Sequence, residues 1–435
     1  MKILSITAGA AGMYCGSCFR DNALAAELLR RGHDVTLMPM YTPTRTDEPN
    51  VSVQNRVLFG GVSVYLQQRY AIFRHTPRLF DWLIDAPPVI RALSSRSVST
   101  SPAVLGELTI SMLRGRDGVL QREFDKLATW MAHEPLPDVI NLPNSMLIAL
   151  AAPLRAATGR PMVCTLQGEE LFLDGLVPPY RDEALRLIRA QVPEVDRFVA
   201  VSEYCARFMT GYLSIPADRI SVVPLGIDFA GYERHVPASG RPVLGYFARI
   251  APEKGLKVLA QAFVELRRRL GAAAPTLEAA GYLAPADRQY LDDVRRLLAS
   301  AGCADDFTYH GELDRAGKLA FLRRLDVLSV PATYDEPKGM FLLEAMACGV
   351  PVVQPRRGAF TEIVERTGGG LLVDLSSQDL TPTGLAEAIQ RLLTDRRLAA
   401  ELGQRAFDGV RAHYGIGSSA AKLLDVYAGV MAGRS

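Results

Sequence analysis

Short apolar runs bounded by glycine and proline alternate with longer stretches in which apolar residues recur every three or four positions. Lys2–Thr7 and Val35–Met40 read as strands on either side of a helix over Asn22–Arg31, which Gly32 ends. Strand, glycine-bearing loop, helix and strand make the first unit of a βαβ series. Val139–Leu142, Met162–Leu166 and Arg197–Val201 read as later strands, with helices over Ser145–Thr158, Arg181–Gln191 and Glu203–Leu213. The pattern restarts near Arg241. Val243–Phe247, Leu277–Ala280, Phe307–His310, Val327–Val330 and Val350–Gln354 are expected strands, and Gly255–Leu270 an expected helix. Between the two series, Leu225–Gly240 is rich in glycine and proline and has no periodicity. The pattern predicts an α/β protein of two Rossmann-like doubly wound domains with mostly parallel sheets. We place them at residues 1–229 and 230–417. A last helix, Ser418–Ala432, packs on the second domain or, within 418–435, completes the first.

Composition narrows the class. The 435 residues carry 49 basic and 47 acidic side chains, for a net charge of +2, and 49% are hydrophobic. Balanced charge and high apolar content exclude disorder as the main state, and nothing global points to nucleic acid. No run of 18 apolar residues suggests a spanning helix. The start, MKILSITAGAAGMYCG, reads as a strand and glycine loop rather than a signal peptide. A cytoplasmic protein is therefore expected, with few disulfides among its six scattered cysteines. Val51–Arg96 breaks the alternation with aromatics (Phe59, Tyr65, Tyr70, Phe73, Phe80, Trp82) among arginines (56, 69, 74, 78, 91, 96). Such a segment suits a membrane surface or an extended ligand, but the plainer reading is a packed elaboration covering the first sheet.

The densest chemistry lies in YDEPKGMFLLEAMACGVPVV, from Tyr334 to Val353. Glu336 stands in the loop, Gly339 at the turn and Glu344 inside the following helix. A helix starting near Gly339–Met340 presents free backbone N–H groups suited to phosphate. The two carboxylates can bracket a ligand, and carboxylates suit polyols because each oxygen accepts from a hydroxyl. In GYFARIAPEKG, Arg249 ends a strand and Lys254 precedes a helix, both at the carboxyl end of the second sheet. Two cations and a helix N-terminus make a diphosphate site without a metal, and no Asp-x-Asp triplet occurs in the chain. Other groups have two readings each. Cys15 and Cys18 could be a redox or metal pair, or part of a glycine loop. Arg20 and Asp21 could face a cleft or cap the first helix. His33, His133 and His310 read as packed or solvated, and Glu169 and Glu170 as candidates to hold an acceptor or act as a base.

On these motifs the chain resembles the retaining nucleotide-sugar glycosyltransferases of family 4, in which two such domains face each other across a cleft (the GT-B fold). Arg249 and Lys254 match the family's R-x4-K element, Glu336 and Glu344 its E-x7-E element, and Val223–Asp228 the segment that opens the second domain. The EPxG form at Glu336–Gly339 and the stretch Gly61–Leu66 are similar to glycogen and starch synthases. The resemblance implies a donor site. Arg249 and Lys254 would bind the diphosphate, Glu344 the ribose, and Glu336 the transferred sugar. Backbone N–H groups at Gly339, Met340 and Phe341 would hold sugar and phosphate, and the Gly12–Gly16 loop would approach from the first, acceptor-side domain. It also implies front-face attack, with the leaving diphosphate taking the acceptor proton and no protein nucleophile.

Where the family carries histidines, this chain has Asn141, Pro143 and Gln167. Asn144, Gln167 and Glu169 are the acceptor-side candidates. Lys338, in place of an aromatic residue, adds a third cation at the sugar end. The expected activity is metal-independent, retaining transfer from a nucleoside-diphosphate sugar to a hydroxyl acceptor: a sugar, glucan, lipid-linked sugar or metabolite. The acceptor could bring peripheral membrane contact through residues 51–96. The alternatives are a phosphorylase-like relative, which Lys338 favours, and a binding protein without turnover, which the missing histidines favour.

Overall fold

A computed structural model describes residues 1–9, 15–54, 57–59, 102–234, 240–374 and 381–433. Gly12 and nearly all of the aromatic, arginine-rich segment lie outside the described residues. The chain divides into two compact units. One is Met1–Gly226 with Ile416–Ser435, and the other is Ile227–Gly415. The division thus falls at 226/227 rather than 229/230.

In the first unit, β1 (Lys2–Thr7), α1 (Gly16–Arg30) and β2 (Asp34–Pro39) form the opening βαβ unit. The helix begins six residues earlier than the periodicity suggested. The extended backbone of Cys15 starts it, without a side-chain cap. After α2 (Pro102–Leu113) and α3 (Gln121–Met131) come β3 (Val139–Leu142), α4 (Ala151–Thr158), β4 (Met162–Leu166), α5 (Glu170–Asp174), α6 (Tyr180–Gln191), β5 (Arg197–Ala200), α7 (Glu203–Tyr212) and β6 (Ile220–Val222). All pairings are parallel, in the order β2-β1-β3-β4-β5-β6. Every residue of β3 and β4 is buried, the polar Asn141 and Thr165 included, which is why each is mainly apolar rather than alternating.

The second unit repeats the scheme. It comprises β7 (Val243–Phe247), α8 (Leu256–Leu270), β8 (Thr276–Ala280), α9 (Arg288–Ser300), β9 (Phe307–Tyr309), α10 (Arg315–Arg323), β10 (Val327–Leu328), α11 (Met340–Ala347), β11 (Val352–Pro355), α12 (Gly358–Thr367), β12 (Gly370–Val373), α13 (Pro382–Thr394) and α14 (Arg396–His413). Its sheet is parallel in the order β12-β11-β10-β7-β8-β9. The chain runs outward from β7 to β9, then restarts at β10 on the other side of β7. The carboxyl ends of β7 and β10 therefore flank the switch point, where open α/β sheets hold their ligands.

The last helix, α15 (Ile416–Ala432), completes the first unit. Leu423, Tyr427 and Val430 share a core with Ile3, Leu24, Leu28, Val139 and Val163. Each such apolar side chain contributes about 1.5–3 kcal/mol by leaving water. Ser419 Oγ donates to the Pro224 carbonyl at 2.8 Å. A Cβ on Gly226 would lie 2.7 Å from the Ile416 Cα, so a glycine lets the two stretches cross.

The two loops at the second switch point are laced together. Thr333 N donates to the Glu253 carbonyl at 2.9 Å. Gly255, at φ +76°, lies so close to the next loop that a Cβ would sit 2.0 Å from the Pro331 carbonyl oxygen. Gly255→Ala is expected to cost about 2 kcal/mol or more, through the left-handed backbone and this clash. Denaturant unfolding of the variant checks it.

Candidate active site

Lys254 leaves the loop after β7 and points inward. Its Nζ is paired with Glu336 Oε2 and donates to the Tyr334 hydroxyl at 2.7 Å. Tyr334 donates in turn to Glu336. The Glu336 side chain is 3% exposed and that of Lys254 15%. Burial pushes the Glu336 carboxyl up, but the Lys254 ammonium, hydrogen bonds from Lys254 and Tyr334, and the charge of Lys338 outweigh it. They hold the carboxyl below its ordinary range. The ammonium also lies 5.0 Å from the centroid of the Tyr334 ring and 5.8 Å from that of Phe341.

Gly339, at φ +76°, ends the loop and caps α11, and a Cβ there would lie 2.9 Å from Ile363 Cδ1. The first N–H groups of α11, at Met340 and Phe341, have no carbonyl to bond within the helix. They carry the positive end of its dipole. Lys254 and this helix end together form an anion-attracting surface at the switch point.

Glu344 lies in the second turn of α11. Its Oε1 accepts from Lys318 Nζ at 2.6 Å and from the Tyr232 hydroxyl at 3.0 Å. Arg249 differs from Lys254: its side chain is 44% exposed and pairs with Glu253, four residues on. The structure thus brings Lys254, Glu336, Lys338, Gly339, Met340 and Phe341 to one loop cluster, with Glu344 behind it and Arg249 at the rim. Tyr334, Tyr232 and Lys318 were missed. Tyr334 stands within the motif, two residues before Glu336. Nothing in local spacing marks Lys318 or Tyr232, which reach Glu344 across 26 and 112 positions.

In the first unit the acceptor-side candidates gather at the ends of β3 and β4. Glu169 gives both carboxylate oxygens to backbone, accepting from Ser145 N and Gln167 N at 2.8 Å each. That arrangement ties two loops together. Gln167 Nε2 donates to the Pro143 carbonyl at 3.0 Å and to Asp21 Oδ1 at 3.3 Å. Asn144 follows Pro143 at the mouth of the same loop, half-buried. Gly16 is the first residue of α1.

Arg20 and Asp21 do not cap α1. Both are buried, with Arg20 Nη1 3.3 Å from Asp21 Oδ1. The Cys18 thiol is pushed far up by the neighbouring Cys15 thiol and by burial. Among the described residues, no three His, Cys, Asp or Glu side chains gather so as to hold a metal ion, and no helix is long and apolar enough to cross a membrane. His310 sits against Glu278 at 2.8 Å, on the far edge of the second sheet.

Similarities to known proteins span both units. The family model described as Glycosyl transferases group 1 matches residues 232–408, and that described as Glycosyltransferase Family 4 matches residues 110–230. A GDP-mannose-dependent alpha-(1-6)-phosphatidylinositol monomannoside mannosyltransferase of Mycobacterium tuberculosis is 30% identical over 66% of this chain and 74% of its own. A phosphatidyl-myo-inositol mannosyltransferase of Mycolicibacterium smegmatis is 27% identical over 85% of this chain and 90% of its own. Two solved structures share the fold. Sucrose-phosphate synthase from Thermosynechococcus elongatus has a TM-score of 0.71 at 19% identity, covering 99% of each chain. Anabaena HepE, in complex with UDP and glucose, has a TM-score of 0.68 at 18% identity, covering 98% of this chain and 99% of its own.

Proposed function

The chain belongs to the family 4 glycosyltransferases, and from that premise we propose that it moves a sugar from a nucleoside-diphosphate donor to a hydroxyl acceptor, retaining the anomeric configuration and using no metal ion. GDP-mannose is the first donor to test, because the mycobacterial relatives are mannosyltransferases and one is named for that donor. Their names also point to an inositol-bearing lipid as acceptor class, with contact at a membrane surface.

The observation that carries the reading is the inward Lys254 ammonium, paired with Glu336, beside the free N–H groups that open α11. In the reaction the bond from the anomeric carbon to the β-phosphate oxygen breaks. Positive charge builds on the sugar ring and negative charge on the departing diphosphate. Lys254 and the helix end meet that negative charge in fixed positions, the kind of preorganisation that contributes most to catalysis. Arg249, at the rim, reaches the diphosphate once its pairing with Glu253 is exchanged. The acceptor oxygen bonds to the same face, and a diphosphate oxygen takes its proton. Glu336 accepts from the sugar hydroxyls and Glu344 from the ribose.

A thermal-shift screen of nucleotide sugars tests the proposal. At a hundredfold excess over Kd, a donor should stabilise the protein by about 2.7 kcal/mol, and Glu344→Ala should cut that to about half or less. Absence of any shift, or an equal shift in the variant, would refute the assignment.

A further inference from the structure

Glu344 is held in an unusual way for a residue expected to read a ligand. Oε1 takes two donors, the Lys318 ammonium at 2.6 Å and the Tyr232 hydroxyl at 3.0 Å. A carboxylate oxygen offers two lone pairs, so Oε1 is filled. Oε2 has no hydrogen-bond partner among the described residues. Lys318 comes from α10, and its side chain is 6% exposed. Its Nζ lies 5.9 Å from the centre of the Tyr232 ring, so the three groups form one compact cluster.

A buried lysine is costly unless paired, and here the pairing fixes the one carboxylate that stands inside α11. A glutamate terminal torsion is otherwise broad, and freezing such a side chain on binding costs about 0.5–1.5 kcal/mol. Lys318 also cancels the carboxylate charge, which would otherwise repel an anionic diphosphate.

We infer that Lys318 is a positioning residue for nucleotide recognition: with Tyr232 it locks Glu344 so that Oε2 alone accepts hydrogen bonds from the ribose hydroxyls of the donor. This rests on the donor-site reading above and adds to it the device that makes the site selective for ribonucleotides.

The experiment compares Kd for whichever of GDP, UDP and ADP binds the wild type most tightly with that for its 2′,3′-dideoxy analogue. The wild type should favour the ribonucleotide by roughly ten- to a hundredfold, the effect of a charged hydrogen bond. Lys318→Met should bring the two ligands to near parity by weakening the ribonucleotide alone, and Lys318→Arg should keep most of the preference. Equal weakening of both ligands by Lys318→Met would overturn the inference while leaving the donor site in place. A wild type that binds no nucleoside diphosphate would overturn the donor-site reading and the inference together. Tyr232→Phe removes one donor to Oε1 without emptying the buried space. It should lower the preference severalfold even where Lys318→Met does not fold, and an unchanged preference would overturn the clamp.

Discussion

Replacing Lys254 by methionine should reduce kcat/KM by about a hundred- to a thousandfold and destabilise the second unit at neutral pH. The catalytic loss follows from removing a fixed cation that faces the departing diphosphate. The stability loss follows from Glu336, whose side chain is 3% exposed and whose charge Lys254 compensates. Breaking such a pair costs about 3–5 kcal/mol, or roughly 10 °C in melting temperature for a unit of this size.

The pH dependence separates this loss from ordinary destabilisation. In the wild type the Glu336 carboxyl is held below its ordinary range. Its stabilising contribution is present above the unfolded value of roughly 4.3 and is lost as pH falls through the lower folded value. Without Lys254, only the Tyr334 hydrogen bond and the Lys338 charge oppose burial, and the folded value is expected to rise above the unfolded one. The contribution then changes sign: the variant is most stable in acid and weakens as pH rises. Denaturant unfolding of both proteins from acid to neutral pH would show the two slopes. Parallel profiles would mean that Glu336 does not depend on Lys254.

The parts of the fold that were legible are those where burial dictates pattern. The central strands β3 and β4, buried on both faces, stand out as mainly apolar runs with one polar residue each, Asn141 and Thr165. The edge strands β6 (ISV) and β12 (GLLV) went unrecognised, because all their residues are half-buried and neither run is long enough to declare a period. The start of α1 was placed late because Gly16, Ser17 and Cys18 read as loop, although extended backbone at Cys15 starts the helix there. Within the site, Lys254 and Glu336 were legible because each lies in a loop at the carboxyl edge of the sheet, and topology brings those loops together. Lys318 was not. A lysine in a helix ordinarily faces water, and only the packing of α10 near α11 turns this one inward.

Asp21 makes the opposite kind of prediction: Asp21→Asn should stabilise the protein at pH 7. Burial pushes the Asp21 carboxyl up to about 6, despite the Arg20 guanidinium 3.3 Å away. Its folded value thus exceeds the unfolded value of roughly 3.9, and the folded state binds the extra proton between the two. Stability from this site is fully present below about pH 4 and is lost as pH rises through 6. Two units of difference correspond to about 3 kcal/mol. Asparagine keeps the neutral form at every pH, so the decline should vanish and the variant should gain most of that amount at pH 7. The gain is consistent with Arg20, whose Nε and Nη2 are buried without partners among the described residues and whose own pKa burial pushes down. Such a pair does not recover its desolvation cost by mutual attraction. Denaturant unfolding across pH 4 to 7 checks the prediction, and a variant less stable than wild type at pH 7 would show that the Arg20–Asp21 attraction wins.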